Sequence, residues 1–352
     1  MEEGPIRKEV AKLAGVSEAT VSRVLNGIGP VREETRAKVL EAAKALNYVP
    51  NALAQRFARK KSGNIGVIIP FVPKVHLFSA YYFSEILSGI GERAKEAGYD
   101  LLLIFLSPYE QRNYTLLFRT QKIDACIMLG TQDTEEERSA LRELEREGHP
   151  FCLVNQRFEG ESYPTVEADH VRGSHAATAH LLDIGCVRIA FLNGPLTYSN
   201  SADRYEGYRT ALEERGVPLD PSLVFTGNYS RKSGASLAPE IAALIRDGRI
   251  DGVYAGNDRM AIGLLQGLRE LGIEPGRDVA LVGYDDSEGA KFTEPQLSSV
   301  SVPFYELGAS AVSKVLGVEQ KDGNSGDPGE VTGKLPVQLV VRASSLRFKR
   351  KE

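Results

Sequence analysis

Along residues 6–14, IRKEVAKLA, Val10, Leu13 and Ala14 fall on one side of a short helix and leave Arg7, Lys8 and Lys12 for solvent. Gly15-Val16 interrupts the pattern. Ser17 then stands where its hydroxyl can accept an orphan first-turn N–H and cap a second helix. Up to Asn26 the apolar period is Val21, Val24 and Leu25, and Gly27 ends the run. A third run over 33–46 brings Val39, Leu40, Ala43 and Leu46 to the same small core. Two helices joined by so short a turn cross steeply, as in a helix-turn-helix. The second helix keeps Glu18, Ala19, Thr20, Ser22 and Arg23 on a face suited to a major groove, where Ser, Thr and Arg meet base edges or phosphates. A helical hairpin used for protein contact is the competing reading.

After Ser62-Gly63 the period changes. Residues 65–69 are a compact β-branched strand candidate, followed by a long polar and aromatic loop, a helix over 83–97 and a strand over 100–106. Further strands are expected at 125–129, 151–155, 187–192, 223–225, 252–255 and 279–282. Helices at 135–147, 173–184, 204–215, 232–247 and 260–271 fill the intervals. This alternation predicts an α/β core of doubly wound parallel sheets, and the number of units requires two. Loops at strand carboxyl ends surround ligand crevices in such sheets. Gly194-Pro195 and Tyr284-Asp285-Asp286 are loops of that kind, which gives Arg204, Asn257, Asp258 and Asp285 a common destination.

Charge sharpens the division. The chain of 352 residues carries a net −4, yet residues 1–61 hold twelve Lys/Arg against seven Asp/Glu, a basic head on an acidic body. No run of 18 apolar residues occurs, so no membrane partner is expected, and MEEGPIRKEV lacks the build of a secretory signal, so the expected compartment is the cytoplasm. Cys126, Cys152 and Cys186 lie far apart in apolar surroundings and read as buried thiols. The scattered Cys and His predict neither metal nor cofactor. There is no GxxxxGK[ST] loop, no GxGxxG after the first strand and no readable nucleophile-base set, which argues against an enzyme. A solute-binding protein without DNA activity would explain the body but leave residues 6–61 unexplained.

The stretch VAKLAGVSEATVSRVLNG, followed by VREETRAKVLEAAKALNYVPNALAQRFARKKSGNIGVI, closely resembles the headpiece, hinge and core entry of the lactose/galactose repressor (LacI/GalR) family. Pieces of the body, among them GCVRIAFLNGP, DRYEGYRTALEERG, DGVYAGNDRMAIGLLQGLRELGI and DVALVGYDDSEGAKFTEPQLSSV, extend the resemblance over residues 6–345. It implies a helix-turn-helix headpiece over 1–49, a hinge helix and linker over 50–63, and a periplasmic-binding-protein-like core over 64–345. The core would comprise an N-terminal lobe of about 64–165 and 301–325 and a C-terminal lobe of about 166–300 and 334–345, joined by three crossovers.

The implied function is a homodimeric repressor that binds palindromic operator DNA and responds to a small effector. Its dimer surface would come largely from the N-terminal-lobe helices after the first two strands. Ser17, Glu18, Ala19, Thr20, Ser22 and Arg23 would face the operator, and Asn26, Tyr48 and Asn51 its backbone. Phe57 matches the hinge residue inserted in the minor groove, although a place in the headpiece core is the alternative. Tyr82, Phe83, Asn155, Arg204, Asn257, Asp285 and Phe304 map onto effector contacts, with Arg204 and Asp285 as opposite parts of a clamp. A sugar is the favoured effector and a purine-like ligand the alternative, because aromatic faces cover either. Departures from the family pattern occur at Gly185-Cys186, at Asp169-His170, in a lengthened loop over 73–82 and in a Gly-rich stretch over 317–333.

Overall fold

The computed structural model describes residues 6–49, 61–71, 80–107, 110–318 and 333–346. It divides into two compact units, Met1–Asn64 with Leu116–Asp124, and Ile65–Thr115 with Ala125–Glu352.

In the first unit, α1 (Arg7–Ala14) and α2 (Glu18–Asn26) end at Gly15 and Gly27, both left-handed at φ 66° and 65°. Glycine adopts that conformation without a Cβ penalty, which lets each helix stop after two turns. Ser17 caps α2 by accepting from Thr20 N–H at 3.2 Å. With α3 (Glu33–Ala45), these helices enclose Val10, Ala11, Ala14, Val21, Val24, Val39, Ala42 and Ala43. Leu13 and Leu40, expected in this core, are instead 58% and 50% exposed. The core stripes run through Val10-Ala11-Ala14 and Val39-Ala42-Ala43, and at 100° per residue each leucine lies about 110° away from its stripe. Small alanines let the helices close where the leucines would hold them apart. At the end of this unit the Ser62 and Gly63 N–H groups donate to the Asp124 carboxylate at 2.7 and 2.8 Å. Asn51, Phe57 and the hinge helix expected around them lie outside the described residues.

The second unit holds two sheets. The first has the order β2-β1-β3-β4-β5, built from β1 (Asn64–Pro70), β2 (Asp100–Leu106), β3 (Ala125–Leu129), β4 (Phe151–Val154) and β5 (Thr165–Val166). The pairings Ile65↔Ala125, Cys126↔Phe151 and Leu153↔Thr165 are parallel. Helices α4 (Tyr81–Glu96), α5 (Tyr114–Arg119) and α6 (Glu135–Arg146) alternate with these strands. The chain then enters the second sheet through α7 (His170–Asp183), β6 (Ile189–Asn193), α8 (Ser199–Glu214) and β7 (Val224–Thr226). It continues through α9 (Arg231–Ser236), α10 (Ala238–Arg246), β8 (Gly252–Ala255), α11 (Asp258–Glu270), β9 (Ala280–Asp285), α12 (Glu288–Lys291) and β10 (Ser298–Ser301). Next, α13 (Phe304–Leu316) returns to pack on α4 and the first sheet, whereas β11 (Gln338–Val340) and α14 (Ala343–Leu346) belong to the second.

Several expectations change. The second sheet, β11-β10-β9-β8-β6-β7, is parallel except for β11, which runs antiparallel to β10, so this lobe is not wholly parallel. The helix expected over 232–247 is two helices, because Pro239 in the first turn of α10 lacks the N–H that a continuous helix would need there. Helix α8 starts at Ser199, which puts Arg204 in its second turn rather than at its beginning. All three cysteines are buried and none forms a disulfide, and burial raises the thiols of Cys126 and Cys152. No described helix is long and apolar enough to cross a membrane.

Candidate functional site

On α2, Val21 and Val24 face the core, and the opposite side carries Ala19, Ser22, Arg23 and Asn26 at helical spacing. Ala19 and Arg23 are exposed. Ser17 and Thr20 are joined through their hydroxyls at 2.9 Å at the helix start. The Glu18 carboxylate lies 3.5 Å from Arg7. The Asn26 amide is buried and donates to Ser22 Oγ at 3.1 Å, while Tyr48 packs against the core. Among the operator-facing candidates, Arg23 is an exposed cation on that side of the helix. Arg23→Ala should lower operator affinity by about tenfold across operator sequences if it meets a phosphate, and selectively if it meets a base. Binding titrations against a set of operator variants distinguish the two.

Between the sheets, six of the seven predicted effector residues converge: Tyr82 and Phe83 from α4, Phe304 from α13, Arg204 from α8, Asp285 from β9 and Asn155 from the end of β4. Arg204 is buried on α8, its guanidinium 4.4 Å above the Tyr284 ring and 5.6 Å from the Tyr229 ring. One of its amino groups donates to Tyr229 Oη at 2.9 Å, and its Nε has no partner among the described residues. Asp285 ends β9 at φ 108° and is likewise buried. From the first sheet's side, Tyr82 meets Phe83 and Phe304 edge to face, with ring centroids 4.9 and 5.2 Å apart. Burial first, then Tyr198, Asp285 and Tyr229, raise the Tyr82 phenol, while Arg204 pulls it down, so Tyr82 shares one electrostatic neighbourhood with the clamp residues. Asn155 lies just past β4, at the strand's carboxyl end. Asn257 is the residue the site uses structurally: its Oδ1 caps α11 by accepting from Met260 N–H at 2.9 Å, and its amide donates to the Tyr229 carbonyl at 3.1 Å.

Tyr229, Tyr284 and His170 complete the cluster and were not among the predicted contacts. Tyr229 could have been found by the rule that located Asp285, since it stands in the turn beyond β7. Tyr284 reads as loop beside two aspartates but is the penultimate, fully buried residue of β9.

Beneath Asp285, Asp258 accepts from Ser287 N–H, Ser287 Oγ and Ser299 Oγ at 2.7, 2.9 and 2.6 Å. Burial nevertheless pushes its carboxyl up to about 7, and burial lifts Asp285 well above the usual carboxylate range against the pull of Arg204. The folded chain thus holds a proton on Asp258 that the unfolded chain has released. That contribution is complete below the ordinary aspartate value and is lost as pH rises through about 7. The melting temperature should therefore fall between about pH 5 and about pH 8, and Asp258→Asn should flatten that slope. An unchanged slope in the variant would assign it to other groups.

A second set of contacts joins the lobes along one rim. Asp133 N–H donates to Thr197 O at 2.8 Å, Gln132 exchanges hydrogen bonds with Tyr198 Oη and Thr197 Oγ1, and Gln156 accepts from Ser199 N–H at 3.0 Å. Arg157 N–H donates to Ser199 Oγ at 2.9 Å, and its guanidinium bridges Asp203 and Glu167. A cavity of about 640 Å³ opens beside this clasp, lined by Asp133, Arg157, Phe158, Tyr163, Leu196 and Thr197 among others. None of the seven predicted effector residues lines it. The convergence of buried donors and aromatic faces, rather than cavity size, marks the clamp as the better candidate.

A model of bacterial regulatory proteins of the lacI family matches residues 8–51, and a model of the periplasmic binding protein-like domain matches residues 178–345. The transcriptional regulator DegA of Bacillus subtilis is 31% identical over 339 residues, 96% of this chain and 97% of DegA. The chain belongs to the lacI family. Another member, the regulator AscG of Escherichia coli, is 32% identical over 93% of this chain and 95% of its own length. Among solved structures, the lac repressor dimer bound to operator and the anti-inducer ONPF matches with a TM-score of 0.79 at 27% identity, covering 98% of this chain and all of that one. A CelR–cellobiose complex matches with a TM-score of 0.68 at 30% identity, covering 97% and 100%. This lacI-family chain is accordingly a helix-turn-helix transcriptional regulator with a two-lobed binding core, and its relatives are regulators rather than enzymes.

Proposed function

We propose that this regulator is a homodimeric repressor whose hold on palindromic operator DNA is set by a carbohydrate bound between its lobes. The observation that carries the effector reading is the buried Arg204, held over Tyr284 beside Asp285 and facing the Tyr82-Phe83-Phe304 cluster. Guanidinium and carboxyl groups suit vicinal hydroxyls, and aromatic faces suit the apolar side of a sugar ring. Solved relatives contain sugars, cellobiose in one and ribose in a regulator from Enterococcus faecium. Ser17, Glu18, Ala19, Thr20, Ser22 and Arg23 serve operator recognition, Asn26, Tyr48 and Asn51 the backbone, and Phe57 the centre of the site. Two-fold pairing presents two α2 helices to two half-sites. Edge strand β2 supports such pairing, since it leaves Leu103 and Phe105 partly exposed.

A thermal-shift screen of cellobiose, ribose, glucose, sugar phosphates and purine bases tests the effector. A neutral sugar should raise the melting temperature and alter operator affinity in gel titration. A response to purines alone would replace the carbohydrate. Sedimentation should show a dimer that prefers a palindrome over one half-site, and a monomer with equal affinity for both would remove the dimer reading.

A further inference from the structure

The amide of Asn155 has its orientation fixed by the backbone. Its Oδ1 accepts from Ala168 N–H at 3.1 Å, so turning the amide over would set one donor against another. The same oxygen lies 3.1 Å from His170 Nε2, which requires that ring nitrogen to carry the proton. Nδ1 then holds the lone pair and accepts from the Tyr284 hydroxyl at 3.1 Å. His170 is wholly buried, and its pKa lies well below the ordinary value because of burial first and then the facing cations Arg204, Lys334 and Arg157. The imidazole is neutral and in a single tautomer.

Two consequences reach the cleft. Asn155 Nδ2, which has no partner among the described residues, is left as a buried donor at the carboxyl edge of the first sheet. The Tyr284 proton is directed to His170, so toward Arg204 the tyrosine presents its ring face and an oxygen that can only accept.

We infer that His170 is a positioning residue for effector selection: together with Ala168 N–H it occupies Asn155 Oδ1 and leaves the amide only as a hydrogen-bond donor, and the effector must place an acceptor oxygen against it. The inference rests on the clamp being the effector site. It names the chemistry of one contact, a ring or hydroxyl oxygen that accepts from the amide. The unpartnered Arg204 Nε is a second donor with the same demand.

Nitrogen-15 NMR of the full chain tests the polarity without a ligand, with His170→Gln identifying the resonances. The expected result is a protonated Nε2, a bare Nδ1 and no titration from about pH 8 down to about pH 5. A protonated Nδ1, or a ring that titrates in that range, overturns the inference. Calorimetry tests the selection, using the sugar that responds in the panel and its deoxy, deoxyfluoro and carbocyclic analogues. In the wild type and in His170→Gln, which keeps a donor, one oxygen-deleted analogue should bind about tenfold more weakly. If that oxygen is a hydroxyl, its fluoro counterpart, which keeps a weak acceptor, should bind better than the deoxy form. In His170→Phe, shown folded by its melting transition, the tenfold difference should shrink, because Asn155 Oδ1 is then open to a donor and only Ala168 N–H holds the amide. Equal losses for every analogue in all three proteins sink the positioning role. If no sugar in the panel binds, the carbohydrate reading falls while the NMR still decides the tautomer.

Discussion

Arg204→Ala should weaken effector binding by about a hundredfold while leaving the protein folded. The side chain is buried with its charge over Tyr284 and one donor on Tyr229, so it is held before any ligand contact is made. A charge-assisted hydrogen bond is worth about 1.5–3 kcal/mol, and truncation removes two potential donors together. Arg204→Lys should recover only part of the loss, because an ammonium keeps the charge but not the planar fork that fits two acceptors and lies flat on a ring. Calorimetry with the responding sugar measures both, with the melting temperature as a control. Operator binding in the absence of sugar should persist in either variant, and repression should become insensitive to the effector. Wild-type affinity in Arg204→Ala would remove the clamp.

The largest loss of stability is expected at the crossing of α4 and α13. A methyl group added at Gly308 would overlap the carbonyl oxygen of Ile86, and one added at Gly89 would overlap that of Tyr305. Both obstacles are backbone, so neither can swing aside as a side-chain tip would. Overpacking costs about 1–3 kcal/mol where neighbours can yield, and more is expected here because two helices must separate. Gly308→Ala and Gly89→Ala should each lower the denaturation midpoint, and Gly308→Val should prevent folding of the core. A midpoint unchanged by Gly308→Ala would mean that the crossing is looser than its geometry.

The alternation of strands and helices was legible because buried parallel strands are short, mostly apolar runs, as at Ile65–Ile69 and Gly252–Ala255. Strand β10 was not, since its sequence is Ser-Ser-Val-Ser. Its serines can be buried because their hydroxyls find partners far away in sequence, Ser298 with Arg342 and Ser299 with Asp258. In the headpiece the period located three helices but not the face of Leu13 and Leu40, which only the close crossing of alanines decides. That Arg204 and Asp285 share one neighbourhood was legible, because both lie at or after the carboxyl ends of strands in one sheet. His170 stands out in the sequence only as a departure from a family pattern, because its partners Asn155 and Tyr284 are 15 and 114 residues away. The clasp left no local signal for the same reason.

That clasp also turns three backbone amides into reporters. Asp133 N–H, Arg157 N–H and Ser199 N–H each donate to an acceptor on the opposite lobe rather than within their own sheet or helix. Hydrogen exchange at these positions is therefore governed by separation of the lobes, while strands such as β3 exchange only when a sheet opens. Comparing deuterium uptake at the three amides with uptake along β3 would measure how often the lobes part in an unlabelled protein, and how far a bound sugar slows them.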